Sequence, residues 1–138
     1  MIAQKNLSTV SKRQLILLPL AGALAILLAG FRPSAAQEAE LDPLKVCADT
    51  QKLVLENAFV RVLVERLPAG GAQVKHRHPH GVTIAMSDFE AEGFSFTENK
   101  ATQTRRKMGE VNWLEAVVHS GTNVGKTEQH VIRIELKF

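Results

Sequence analysis

Cysteine is almost absent from this 138-residue chain. A single residue, Cys47, cannot close an internal disulfide, so no cross-linked framework stands in for a packed core. Cys47 is read as buried, oxidised or paired with another chain. No histidine lies beside it in sequence to activate it as a nucleophile. Also missing are internal repeats, low-complexity tracts and, after residue 50, any amphipathic helix. A basic surface is lacking too, although the net charge is +3. Lys5, Lys12, Arg13 and Arg32 precede residue 37, and none of the fourteen acids do. Without those four, the seventeen basic residues fall to 13 against 14 acids, a net charge of −1. That is not the electrostatic footprint of a nucleic-acid binder, and Arg105-Arg106-Lys107 reads as a solvated turn.

The start of the chain has the order of a secretory leader. The basic residues come first, an uncharged apolar run follows over residues 15–31, and Arg32-Pro33-Ser34-Ala35-Ala36 supplies small residues for cleavage after Ala36. Residues 1–36 are therefore expected to be a signal peptide, and the mature protein periplasmic or secreted. The alternative is an uncleaved helix that anchors the protein, since seventeen apolar residues nearly span a bilayer. No cysteine follows the run, which argues against a bacterial lipid anchor. Ser11-Lys12-Arg13-Gln14-Leu15 is a weak echo of a twin-arginine signal.

About a hundred mature residues suffice for one domain. Residues 37–50 read as an arm with at most a helical turn, and residues 51–138 as a β domain. Strands are expected over 51–55, 59–67, 82–86, 90–97, 101–106, 111–118 and 127–138. Pro68-Ala69-Gly70-Gly71, Gly93, Asn99-Lys100, Gly109 and Ser120-Gly121-Thr122-Asn123 punctuate them. Short antiparallel strands at this spacing point to a sandwich or barrel. In the last strand His130, Ile132, Ile134, Leu136 and Phe138 share one parity, which is expected to face the core. Trp113 and Met86 are expected to pack in that core.

What the chain does have is histidine in two clusters. His76-Arg77-His78-Pro79-His80 is answered by His119, and His130 follows. Imidazole is the commonest nitrogen ligand of divalent transition metals. On a strand, residues two apart share a face at about 7 Å, so His76 and His78 can converge on one ion. His80 would lie about 13 Å from His76 and needs a bend to join them. A distant third histidine, His119, completes a three-ligand site with open positions. Val82 and Ile84 continue the histidine face, which suggests a polar mouth on an apolar interior. Each residue has a structural alternative: a remnant pair at His76 and His78, a rim position for His80, an end-of-strand position for His130, a turn role for Asn123. Glu115 shares parity with His119 and is either a carboxylate ligand or an exposed residue.

Gly70, five residues, then His76-x-His78 resembles the first cupin motif. Gly109…His119-x-x-x-Asn123 resembles the second. With Glu56-Asn57-Ala58-Phe59-Val60-Arg61-Val62 and Trp113, the stretch from Leu53 to Lys137 is similar to small single-domain cupins. The resemblance implies an all-β, double-stranded β-helix (jelly-roll) barrel holding one divalent metal: Fe, Mn, Zn, Ni or Cu. It implies His76, His78 and His119 as the ligands, a small-molecule ligand and a homodimer. The chain departs from the pattern where Val82 stands in place of the usual glutamate ligand. Phe89 replaces a glycine, the second motif is one residue shorter, and Leu114-Glu115-Ala116 replaces its Pro-x-Gly. What remains resembles the three-histidine arrangement of thiol dioxygenases. Two functions stay open. One is a metal-dependent oxygenase or isomerase with His130 as the proton carrier; the other is a non-catalytic ligand-binding or assembly cupin, with or without metal. Neither includes nucleic acid, or a membrane after leader cleavage.

Overall fold

The computed structural model describes residues 40–138; the expected leader lies outside the described residues. The arm contains one helical turn, α1 (Pro43–Val46). Asp42 caps it by accepting the Leu44 N–H at 2.9 Å, and Pro43 opens it. Nine strands follow: β1 (Gln51–Glu56), β2 (Val60–Leu67), β3 (Ala72–His78), β4 (Gly81–Ala85), β5 (Phe89–Ser95), β6 (Lys100–Arg106), β7 (Val111–Leu114), β8 (Val117–Asn123) and β9 (Gln129–Leu136). They form two antiparallel sheets, β1-β2-β9-β4-β7 and β3-β8-β5-β6. The architecture is the expected jelly roll.

Turn chemistry sets the strand ends. Gly70 and Gly109 adopt φ of 76° and 87°, a region open to glycine, and they close the β2–β3 and β6–β7 turns. Asn123 does what a turn asparagine does. Its side-chain amide donates to the carbonyls of Leu67 and Thr127 at 2.9 and 2.8 Å, and its Oδ1 accepts the Gly125 N–H.

Most expected strand ends shift by only one or two residues, β3 joins the expected strands, and the region around His119 changes more. The strand expected over 111–118 breaks at Glu115-Ala116, and Val117-Val118 begin β8 instead. Ser120-Gly121-Thr122-Asn123, expected as punctuation, lies inside β8, so His119 sits within a strand. Gly93, likewise, is inside β5, where a Cβ would meet the Ser120 carbonyl oxygen at 2.2 Å.

The larger correction concerns which face is inside. In β9 Val131, Arg133 and Glu135 are buried, whereas Ile132 and Ile134 are only half-buried. Neighbouring strands agree. Leu63, Glu65 and Leu67 of β2 point inward against Val60, Val62 and Val64, and Thr83 and Ala85 of β4 against Val82 and Ile84. The interior is therefore mostly polar, with a small apolar cluster of Ala85, Phe89, Val131 and Ala91. The apolar parity builds the outer face. Across it run the rows Leu55–Val62–Ile134–Val82–Trp113 and Val64–Ile132–Ile84–Val111. Trp113 and Met86 are exposed rather than packed in the core. Cys47 is buried, its thiol 3.9 Å from the Val74 carbonyl, and burial pushes its pKa up, away from reactive thiolate.

Candidate metal centre

His76 and His78 reach one face through a local irregularity. The β3–β8 register shifts between Gln73 and His76, so Val74 and Lys75 are both exposed while Gln73, His76 and His78 point inward. His119 is the direct cross-strand partner of His76. The three imidazoles stand with ring centroids 4.4 to 5.4 Å apart. One nitrogen from each lies within 4.8 Å of the others. His76 and His78 are wholly buried.

Hydrogen bonding fixes how each ring is presented. The His76 Nδ1–H donates to the Val74 carbonyl at 2.7 Å, and Gln51 Nε2 lies 3.4 Å from His76 Nε2. The His78 Nδ1–H donates to Glu135 Oε1 at 2.5 Å. Glu135 Oε2 accepts from Arg61 Nε at 2.6 Å, and the Arg61 guanidinium donates in turn to Asp42 at 2.7 Å. A carboxylate behind a ligating histidine fixes its tautomer and makes it a better donor to metal. Burial pushes the Glu135 carboxyl up, and the Arg61 guanidinium works against that shift.

The remaining ring nitrogens test whether a metal fits. His78 Nε2 and His119 Nε2 are buried and have no hydrogen-bond partner. Burial depresses all three histidines: His119 falls to about 3, helped by His76 and Arg133, and His78 falls well below its usual value. Neutral rings with free nitrogens close together are what a divalent ion requires; His78 and His119 offer theirs unpartnered, and His76 Nε2 would exchange the Gln51 amide for the ion. The site fits the metal.

The other candidates lie elsewhere. His130 sits on the outer parity of β9, opposite Arg66, and is not brought to the cluster. His80 is half-exposed, stacked on Trp113 and paired with Glu115 at 2.8 Å. Glu115 also accepts from the Trp113 indole and supplies no carboxylate to the histidines. Val82 points outward, and the residue through which β4 faces the interior is Thr83. Sequence reasoning missed Glu135, Arg61, Glu65 and Arg133, because it placed their parity outside. The polar positions two apart along β2 and β9 were the available signal.

A cavity of about 150 Å³ adjoins His119 between the two sheets. Glu65, Gln129, Arg133, Thr83 and Asn112 line it, with Phe89 and Val131 on its apolar side.

The fold has counterparts among solved structures. A cupin domain from Bordetella pertussis Tohama I is 26% identical, with a TM-score of 0.58 over 64% of this chain and 92% of its own. An uncharacterized conserved protein with a double-stranded β-helix domain from Klebsiella pneumoniae is 22% identical, with a TM-score of 0.51 over 76% and 81%. No protein-family model and no curated protein matches the sequence. The fold is that of these cupin-type structures, and the histidine cluster is a group that could hold a metal ion.

Proposed function

We propose that the protein is an exported cupin in which His76, His78 and His119 hold one divalent transition metal that acts on a small molecule as an oxygenase or isomerase centre. The supporting observation is the pair of buried, unpartnered Nε2 atoms on His78 and His119, since orphaned polar atoms are costly unless something completes them. A metal held there supplies Lewis acidity or a site for oxygen, with coordination positions left free by a three-ligand set. Around it Glu135 orients His78, and the sheets exclude bulk water from His76 and His78.

The outer face of the five-stranded sheet supports a homodimer, because its two apolar rows run across all or most of the strands. Export rests on the leader-like order of residues 1–36.

Metal analysis of the purified mature protein tests the reading. One equivalent of metal is expected, and a His76→Ala/His119→Ala variant should lose it. Substoichiometric metal that is undiminished in the variant would remove the site. Oxygen uptake over a panel of small thiols, diketones and phenols then separates an enzyme from a ligand-binding cupin. An intact Met1 on the exported protein would mean an anchor instead of a cleaved leader.

A further inference from the structure

We infer that the cavity beside the histidines is a carboxylate pocket in which Arg133 holds the anion, so that the ligand of the metal site is a small carboxylic acid carrying a hydrogen-bond donor. This rests in part on the metal reading above. Arg133 lies in the middle of β9, faces inward between Leu63 and Thr83, and is only 6% exposed. A buried guanidinium is normally paired, because an uncompensated charge out of water is strongly unfavourable. Among the described residues the Arg133 side chain makes no hydrogen bond or close ion pair, its Nε is buried without a partner, and Glu65 and Glu135 act on it only from a distance.

The neighbouring acids are already engaged. Both Glu135 oxygens are taken, by His78 and Arg61, and Glu65 accepts from the Gln129 side-chain amide. Charge balance points the same way. Arg61 and Arg133 offset Glu135 and Glu65, so a divalent ion among three neutral imidazoles leaves the interior positive. An anion restores neutrality, and a carboxylate fits the planar guanidinium fork.

Two further observations narrow the ligand. Gln129 Oε1 is a buried acceptor with no donor, which a hydroxyl or amine on the ligand would satisfy. The cavity, about 150 Å³, is well below the roughly 300–1,000 Å³ that accommodates drug-sized molecules. Arg133 and His119 line the same cavity, so an anion held by the guanidinium lies beside the histidine cluster.

The test uses the mature full-length protein, loaded with metal, and follows calorimetric binding of lactate, lactamide and inorganic phosphate. Lactate should bind, lactamide should not, and phosphate should bind more weakly than lactate. Arg133→Gln should weaken lactate by about tenfold or more while keeping its metal, and Arg133→Lys should restore part of the affinity. Equal lactate binding in Arg133→Gln, equal binding of lactamide, or tighter binding of phosphate would overturn the inference. A protein that holds no metal yet binds lactate through Arg133 would sustain it and overturn the metal reading. Metal without lactate binding would do the reverse.

Discussion

On β9, Arg133 and Glu135 point into the barrel, while Ile132 and Ile134 beside them point out of it. The same alternation runs through β2 and β4, so one sheet carries charge and amide groups inside and branched aliphatic side chains outside. A sheet laid down only to form a core would be built the other way round. Each face is incomplete by itself. Among the described residues the inner one holds donors and acceptors without partners, and the outer one holds apolar rows that are only half-buried. The proposed ion and ligand would complete the first, and the proposed homodimer would cover the second.

Changes on the inner face should have the largest effect. Glu135→Ala leaves Arg61 without its most buried partner and His78 Nδ1 without an acceptor. Breaking a buried ion pair from one side costs about 3–5 kcal/mol, and losing the carboxylate behind a ligating histidine weakens metal about 10–100-fold. Urea unfolding and metal titration would measure both; a loss under about 1 kcal/mol would show that the network does not hold the fold.

The outer face is broken by Ile134→Lys, a central position in the longer apolar row. The mass by light scattering should fall from dimer to monomer with metal content unchanged. A variant that keeps the dimer mass would move the interface elsewhere.

Acid sharpens the contrast. Without metal, His76, His78 and His119 resist protonation in the fold but titrate near 6.5 when unfolded. The unfolded chain then binds more protons, so stability should fall as pH drops below about 6.5 and keep falling towards the His119 value of about 3. Buried Glu65 and Glu135, both pushed up, work in the opposite sense below their raised values. Metal-free protein followed by melting temperature against pH gives the curve; a flat profile from pH 7 to 5 would mean the rings are not held neutral.

The smallest effect belongs to the exposed Arg66–Glu128 pair. Arg66→Ala should change stability by no more than about 0.5 kcal/mol in chemical denaturation, since both side chains are about half in water.

The contrast also explains what could be read in advance. His76, His78 and His119 were legible because metal ligands demand a rare residue at fixed spacing, and the jelly roll because turn residues recur between short alternating strands. Alternation assigns residues to two faces, but it does not say which face is inside. The apolar set of β9 was the reasonable choice, and it displaced Glu135 and Arg133 from the site while admitting His130. Trp113 and Met86 were misplaced by the same reasoning, one on the outer face and the other just past the end of β4. Glu115 takes the exposed alternative, at a break at Glu115-Ala116 that no glycine or proline announces.

The line Asp42–Arg61–Glu135–His78 ties the first turn of the described chain to a ring of the histidine cluster. With the proposed metal held there, seating α1 and filling the metal position would be linked. A hand laid on either end is felt at the other: drawing residues 40–46 off the barrel should loosen the ion, and supplying the ion should hold those residues down. The arm is then a tether whose tension the metal can report.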